Sequence, residues 1–366
     1  GVYLFARLYG FFALSPTAMG VCLAIGTISM LLASTMAMVA RDIKQVWAYS
    51  TISQLGFMLM GLGAGSLFAG VFHLTTHAAF KALLFLCAGV LIHHFGTNDM
   101  VAIGRQGGRH LKTAMVALVV GAGALSGLPP LAGFFSKELI LATLLDNGHP
   151  LAFLAGVVGA FLTTYYAFRL IFIIMFPHQR EAHAPAADHH AHHDARGQKT
   201  MTIVLWALTG ATLVLGLVQA PLQAFVGQLG GADSIPGHHG WLPVAAGLIA
   251  AAAIALAWFE FGRKNAAQIG WSERIPQLAD LFGQRWYLDR LYRYLLDTLV
   301  YRGVSRLFTA NDRRVIDGAL DGLGRSTTGL GRIVAWLHTG MIQYRLMVMF
   351  AVVIGLILFL GWGARP

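Results

Sequence analysis

The chain has 366 residues, of which 57% are hydrophobic and only 11% charged. Several stretches of about 20 residues carry almost no charge, the length needed to cross a hydrocarbon core, which excludes an ordinary soluble enzyme and predicts an all-α polytopic membrane protein. A net charge of +10 would suggest nucleic acid in a soluble chain, but here the basic residues fall in alternate connections and describe topology, with no nucleic-acid partner expected.

Membrane segments are predicted at 1–14, 18–40, 43–63, 66–95, 113–145, 151–176, 201–222, 240–261 and 341–362. Arg41 and Lys44, then Arg105, Arg109 and Lys112, then Arg180, Arg196 and Lys199 occupy every second connection, and residues 263–340 add twelve more basic residues. The connections at 15–17, 64–65, 146–150 and 223–239 carry none. The positive-inside rule places the basic connections on the cytoplasmic side, with Arg365 as a mild exception. The sequence opens on Gly1-Val2-Tyr3-Leu4-Phe5-Ala6, inside an apolar segment too short to span and without a charged signal-peptide region. A preceding N-terminal part is therefore expected.

Residues 43–63 mix apolar side chains with Tyr49, Ser50, Thr51, Ser53 and Gln54, a set that lipid would not tolerate on all sides, so this helix should face other helices or water. In the next segment His73, His77 and Lys81 stand at i, i+4 and i+8, along one helix face over about 12 Å. Lys81 is the only Lys, Arg, Asp or Glu from Gln45 to Asn98, and an ammonium near the centre of a membrane helix is by default a candidate for a charge pathway. Imidazole both donates and accepts, and burial makes the neutral form of a lysine accessible. Joined by water that Thr75, Thr76 and the hydroxyls of 43–63 help to hold, these groups can relay a proton. The spacing His73-x-x-x-His77 also matches the two zinc ligands of an HExxH helix, but Leu74 replaces the general-base Glu and Lys81 would repel a dication, so no metal is expected.

The segment 113–145 is interrupted by Ser126-Gly127-Leu128-Pro129-Pro130-Leu131-Ala132-Gly133 and should be a broken helix. Broken helices at membrane depth sit where the freed backbone is buried in protein or lines a cavity, commonly at ion sites, and Lys137-Glu138 follows this break by about a turn. The alternative reading is a proline kink beside a locally neutralised ion pair. Cys22 and Cys87 lie far apart in apolar segments and read as small core residues. His178, His183, His189, His190, His192 and His193 mark a solvated loop with no fixed metal geometry. Residues 286–338 suggest an amphipathic helix about 80 Å long, with Leu288, Leu291, Leu295 and Leu299 on one face. It should lie along the membrane surface, with bends or an unwound stretch near its glycines at 318–331.

Asp42 to Gly56 (DIKQVWAYSTISQLG), His73 to His93 (HLTTHAAFKALLFLCAGVLIH), Gly96 to Met100 (GTNDM), Ser126 to Lys137 (SGLPPLAGFFSK) and Trp286 to Arg290 (WYLDR) together resemble, in the same order, the antiporter-like L subunits of respiratory complex I, the NADH:quinone oxidoreductase. The resemblance implies an antiporter-like bundle from the family's eighth spanning helix onward. Residues 1–262 would be the translocating core, 263–340 a cytoplasmic-side lateral helix and 341–366 a last spanning helix with its tail. By the same resemblance His73, His77 and Lys81 match the family's central axis on helix eleven. Lys137 matches the lysine of broken helix twelve that leads to the exit half-channel. Glu138 stands where many members have Asp, and Asp42, at the start of helix ten, is an accessory candidate with Lys44, Ser53 and Thr76. The Glu of helix five and the Lys of helix seven that the family pairs in its other half-channel are not in this sequence, so the chain alone is not expected to pump.

The resemblance further implies that NADH, FMN, iron–sulfur clusters and quinone bind in other subunits. In keeping with that, the sequence has no phosphate-cradling loop and no cysteine set for a cluster. Expected partners are neighbouring membrane-arm subunits and the bilayer, in a bacterial cytoplasmic membrane. The alternative is the large subunit of a multisubunit cation/proton antiporter or of a membrane-bound hydrogenase complex. The glycine content of the lateral helix favours a static clamp over a moving rod.

Overall fold

A computed structural model describes residues 1–177, 195–227, 237, 239–263, 270, 274–338 and 340–363, with the side chains of 195–199 left out. The His-rich stretch 178–193 lies outside the described residues. Helices follow in the order α1 (Val2–Arg7), α2 (Tyr9–Phe12), α3 (Pro16–Val39), α4 (Ile43–Gly63), α5 (Leu67–Phe95), α6 (Met100–Arg105), α7 (Lys112–Ser126), α8 (Ala132–Asp146), α9 (Pro150–Met175), α10 (Ala195–Val214), α11 (Gln219–Gly227), α12 (Trp241–Ala257), α13 (Pro276–Gly283), α14 (Leu288–Leu295), α15 (Ser305–Asn311), α16 (Gly318–Leu337) and α17 (Ile342–Gly363). Among the described residues no strand is present, and six helices are long and apolar enough to cross a membrane. The protein is a polytopic helical membrane protein, as the hydropathy pattern predicts.

The helices that carry the candidate site begin and end on side chains suited to the task. Ser15 caps α3 by accepting from the Ala18 amide, with Pro16 at the first helical position, and Ser66 caps α5 by accepting from Ala69. Asp42 caps α4, accepting from the amides of Lys44 and Gln45. These caps satisfy amides that a helix start leaves without an internal partner. Gly96, with φ of 67°, closes α5 in the left-handed conformation that a residue without Cβ adopts freely.

The chain divides into two compact units, Gly1–Tyr287 and Leu288–Pro366. Residues between 263 and 287 that are described group with the first unit: α13 packs on α3, and the Trp286 indole donates to Thr35 Oγ1 at 3.0 Å. In the first unit α3 and α4 come together through glycine. A Cβ on Gly56 would stand 2.6 Å from the Gly26 carbonyl oxygen, and one on Gly63 would stand 2.6 Å from the Leu23 nitrogen. Small residues of this kind let backbones approach in lipid, where helix association depends on close packing. The polar residues of α4 are taken inward by that approach, and Ser50, Ser53 and Gln54 are fully buried.

In the second unit no unwound stretch interrupts 318–331. From Leu288 to Leu337 the chain is helical throughout, with short π segments at Leu296–Val304 and Asp312–Asp317 joined to their neighbours by residues in right-handed helical conformation. Each glycine weakens a helix by up to about 1 kcal/mol but removes no hydrogen bond. No proline occurs between 288 and 337 to remove one, so the glycines tax this helix without interrupting it. The start is sharp, because Arg285, Trp286 and Tyr287 all have φ near +55°, ahead of Leu288.

Replacing Gly56 with Ala should force α3 and α4 apart and cost about 1–3 kcal/mol. The measurement is the thermal midpoint of the purified full-length subunit in detergent. A Gly20→Ala control inside α3, where nothing lies within 4 Å of the added carbon, should not lower the midpoint.

A buried polar axis as the candidate functional site

The stripe on α5 is buried in protein: His73 is 0% exposed, His77 6% and Lys81 5%. Its members do not touch one another as a continuous wire. The rings of His73 and His77 stand 6.2 Å apart, centre to centre, and the hydrogen-bond partners of His73 and Lys81 come from neighbouring helices.

His73 sits at the junction of three helices. Its Nε2 donates to Gln54 Oε1 of α4 at 3.0 Å, and its Nδ1 lies 2.8 Å from Ser136 Oγ of α8. Ser136 also meets Thr76 Oγ1 at 2.9 Å and has the carbonyls of Ala132 and Gly133 at 3.4 Å. This arrangement accommodates two protonation states of His73. With a neutral ring, Ser136 donates to Nδ1 and accepts from Thr76. With a protonated ring, Nδ1 donates to Ser136, whose own proton turns to a carbonyl while Thr76 turns to the His73 carbonyl at 3.1 Å. Apart from the proton itself, only hydroxyl rotations separate the two states.

Lys81 donates from Nζ to the Trp47 carbonyl at 3.0 Å, with the indole of Trp47 and the ring of Phe85 at 5.4 and 5.9 Å. The same carbonyl accepts from Thr51 Oγ1 at 2.8 Å, so it is shared. Between these anchored ends, the buried Nε2 of His77 has no hydrogen-bond partner.

The predicted break is present between α7 and α8, and it builds the Lys137 site. Gly127 turns the chain at φ of 76°, and a Cβ on Gly133 would lie 1.8 Å from the Ala124 carbonyl oxygen, so only glycine permits the two half-helices to approach. Lys137 folds back across this turn and donates to the Leu125 carbonyl at 2.7 Å, with the Phe57 ring at 5.2 Å. Leu125 lies in the last turn of α7, where carbonyls lack helical partners and the helix dipole favours a cation. Lys137 and the half-buried Glu138 line one cavity of about 30 Å³ with Ser126 and Thr164. That is room for about one water.

The accessory candidates divide. Thr76 belongs to the axis, as above. Ser53 turns to α3 and shares a 2.8 Å hydrogen bond with Ser34. Asp42 and Lys44 stand at the start of α4, about 7.5 and 4.5 Å of helix rise from Trp47. Asp42 caps the helix, accepts from Asn98 Nδ2 and forms a backbone bridge with Asp99, which pairs with Arg41 at 3.3 Å. The GTNDM motif thus ties the end of α5 to the start of α4.

Sequence reasoning missed Ser136, the residue that joins His73 to the helix of Lys137. It also missed Arg169, which is fully buried, donates from Nη1 to the Ala40 carbonyl at 2.8 Å and lies 5.8 Å from the Phe261 ring. Its signal was available, since Arg169 is as isolated in the apolar run of α9 as Lys81 is in α5. Ser136 gave none, because a single serine beside a lysine is common on any helix.

Residues 1–163 match the family described as NADH:quinone oxidoreductase/Mrp antiporter, TM. The chain is 32% identical over 98% of its length to NAD(P)H-quinone oxidoreductase chain 5 of Picosynechococcus sp., covering 58% of that protein. It is 39% identical over 80% of its length to NADH-quinone oxidoreductase subunit L of Escherichia coli, covering 46% of it. The chain therefore spans about half the length of these relatives. Among solved structures, the Mrp complex from Dietzia sp. DQ12-45-1b is similar over the whole chain at 23% identity with a TM-score of 0.48, covering 36% of that chain.

At the far end of α8 from the break, Asp146 accepts from His239 Nε2 at 2.5 Å and from the Gly237 amide at 2.6 Å. The His239 bond, opposed by desolvation and aided by the Gly237 bond, holds the Asp146 carboxyl below its usual range. A depressed carboxylate contributes stability above the ordinary Asp value of about 3.9 and loses it as pH falls through the depressed one. Exchange of the Gly237 amide should therefore stay slow above about pH 4 and exceed the intrinsic pH trend only on further acidification. In Asp146→Ala it should be fast throughout, and equal protection in the variant would contradict this tie.

Proposed function

We propose, from the premise that residues 1–163 belong to the NADH:quinone oxidoreductase/Mrp antiporter transmembrane family, that this chain is part of a proton-translocating, antiporter-like subunit of an NADH:quinone oxidoreductase. Its support is the buried succession Lys81, His77, His73, Ser136 and Lys137, drawn from α5 and α8. Each of these groups is costly at membrane depth and serves no lipid contact, so a set of them in one file favours a pathway over isolated structural bonds. Protons step along the file by hydroxyl rotation at Ser136 and through water where groups are not in contact, and Glu138 takes part beyond Lys137.

In this reading the redox chemistry lies elsewhere. NADH, FMN, iron–sulfur clusters and quinone bind in other subunits, and Cys22 and Cys87 are too few to hold a cluster. The partners are neighbouring membrane subunits of a bacterial cytoplasmic membrane, with the helix Leu288–Leu337, about 75 Å long, lying along the membrane surface against them. Since that helix is unbroken, its glycines no longer favour a clamp over a rod. Cross-linking it to its neighbours separates the two, because only a moving element would lose activity.

Lys81→Ala or Lys137→Ala in the full-length subunit of the intact complex should lower proton transfer through this subunit by about 10²-fold or more. Protons pumped per electron would fall accordingly. Unchanged stoichiometry and rate in both variants would sink the proposal, and sodium-dependent proton exchange without NADH would favour the cation/proton antiporter.

A further inference from the structure

A second set of buried polar atoms lies beside the axis, on a helix that the file above does not use. On α4 the residues Trp47, Ser50 and Gln54 stand at i, i+3 and i+7 and form one stripe. Trp47 meets Lys81 through its carbonyl and Gln54 meets His73 through its amide oxygen, so α4 and α5 run antiparallel and Ser50 stands level with His77. Ser50 is fully buried and its Oγ has no hydrogen-bond partner, as is true of His77 Nε2.

The third atom comes from α9. Tyr166 is 0% exposed, and its hydroxyl lies close to the side chains of Ser50, Ser53 and Thr163, but none of these contacts has the geometry of a full hydrogen bond. Two of these neighbours are already engaged, Ser53 with Ser34 at 2.8 Å and Thr163 as donor to the Gly159 carbonyl at 2.7 Å. A phenylalanine would fill the same space, so packing does not explain the hydroxyl. Leaving a buried donor or acceptor unmet costs about 1–3 kcal/mol each, and a buried water meets such groups with about three hydrogen bonds of its own.

We propose that Ser50 and Tyr166 form a water-binding site beside His77, in which Tyr166 is a positioning residue for proton transfer between His77 and Lys81. The inference rests on the relay proposed above. The water accepts a proton on a lone pair and releases another from its opposite O–H, so its composition is unchanged by the transfer. Tyr166 donates to that water and fixes its orientation, and Ser50 donates or accepts by rotation as the polarity of the chain reverses. The α4 stripe thereby serves all three members of the α5 stripe, Trp47 at Lys81, Ser50 at His77 and Gln54 at His73.

Electron cryomicroscopy of the intact complex, at a resolution that shows ordered water, tests the site directly. Ordered density is expected within about 3.2 Å of both the Tyr166 oxygen and Ser50 Oγ, and should vanish in Tyr166→Phe. In that variant proton transfer coupled to turnover should fall about five- to tenfold, with a larger solvent deuterium isotope effect, which loss of packing alone would not produce. A map with no water there, or a Tyr166→Phe complex that matches wild type while Lys81→Ala is impaired, overturns the site. Wild-type behaviour of Lys81→Ala overturns the relay instead, and the density then decides the water site on its own. Should Tyr166→Phe fail to assemble, Ser50→Ala provides the second variant, with the same density and isotope effect as readouts.

Discussion

A cation inside an apolar helix bundle must find oxygen, and in this protein it finds the backbone. Lys81, Lys137 and Arg169 donate to the carbonyls of Trp47, Leu125 and Ala40. Two of those carbonyls belong to helix C-termini, the last turn of α7 and the cap of α3, where unpaired oxygens and the negative end of the helix dipole coincide. A helix end at membrane depth is costly without a donor, and a buried ammonium is costly without an acceptor. Placing one against the other offsets both penalties.

The break depends on glycine at two positions. Gly127 supplies the left-handed turn, and Gly133 lets the second half-helix come within reach of the Ala124 carbonyl. That approach sets the rotation of α8, which directs Ser136 toward His73 and Lys137 toward Leu125. One rigid element therefore positions both the lateral link of the axis and its far cation. Lys81 is held less exclusively, since the Trp47 carbonyl also serves Thr51.

The glycine contacts between α3 and α4 do the corresponding work on the other side. They draw α4 close enough for Ser53 to bond Ser34 across the interface, and so leave the Trp47–Ser50–Gln54 stripe directed at α5 and α9. The spacing of His73, His77 and Lys81, the broken helix and the polar character of 43–63 were all legible in the residues. Spacing placed the three groups on one face, but their partners on α4 and α8 and the 6.2 Å between the histidine rings are set by packing. The glycines at 318–331 do not unwind the helix, because a propensity cost summed along a sequence does not say whether the hydrogen bonds actually break.

What the sequence by itself determined is everything set by local geometry. Apolar runs of membrane length, a stripe repeating every fourth residue and a turn forced by adjacent prolines and glycines depend on a few consecutive residues and the fixed pitch of the helix. The family resemblance rests instead on specific motifs, such as Asp42 to Gly56 and Ser126 to Lys137, which the runs alone do not contain. Tertiary structure alone decided which carbonyl each cation takes, that Ser136 bridges His73 to the helix of Lys137, and that Tyr166 faces Ser50 across more than 100 residues of chain. These choices depend on how near two helices come and how each is rotated about its axis. A single small residue at a crossing sets both, and helical periodicity carries no trace of it.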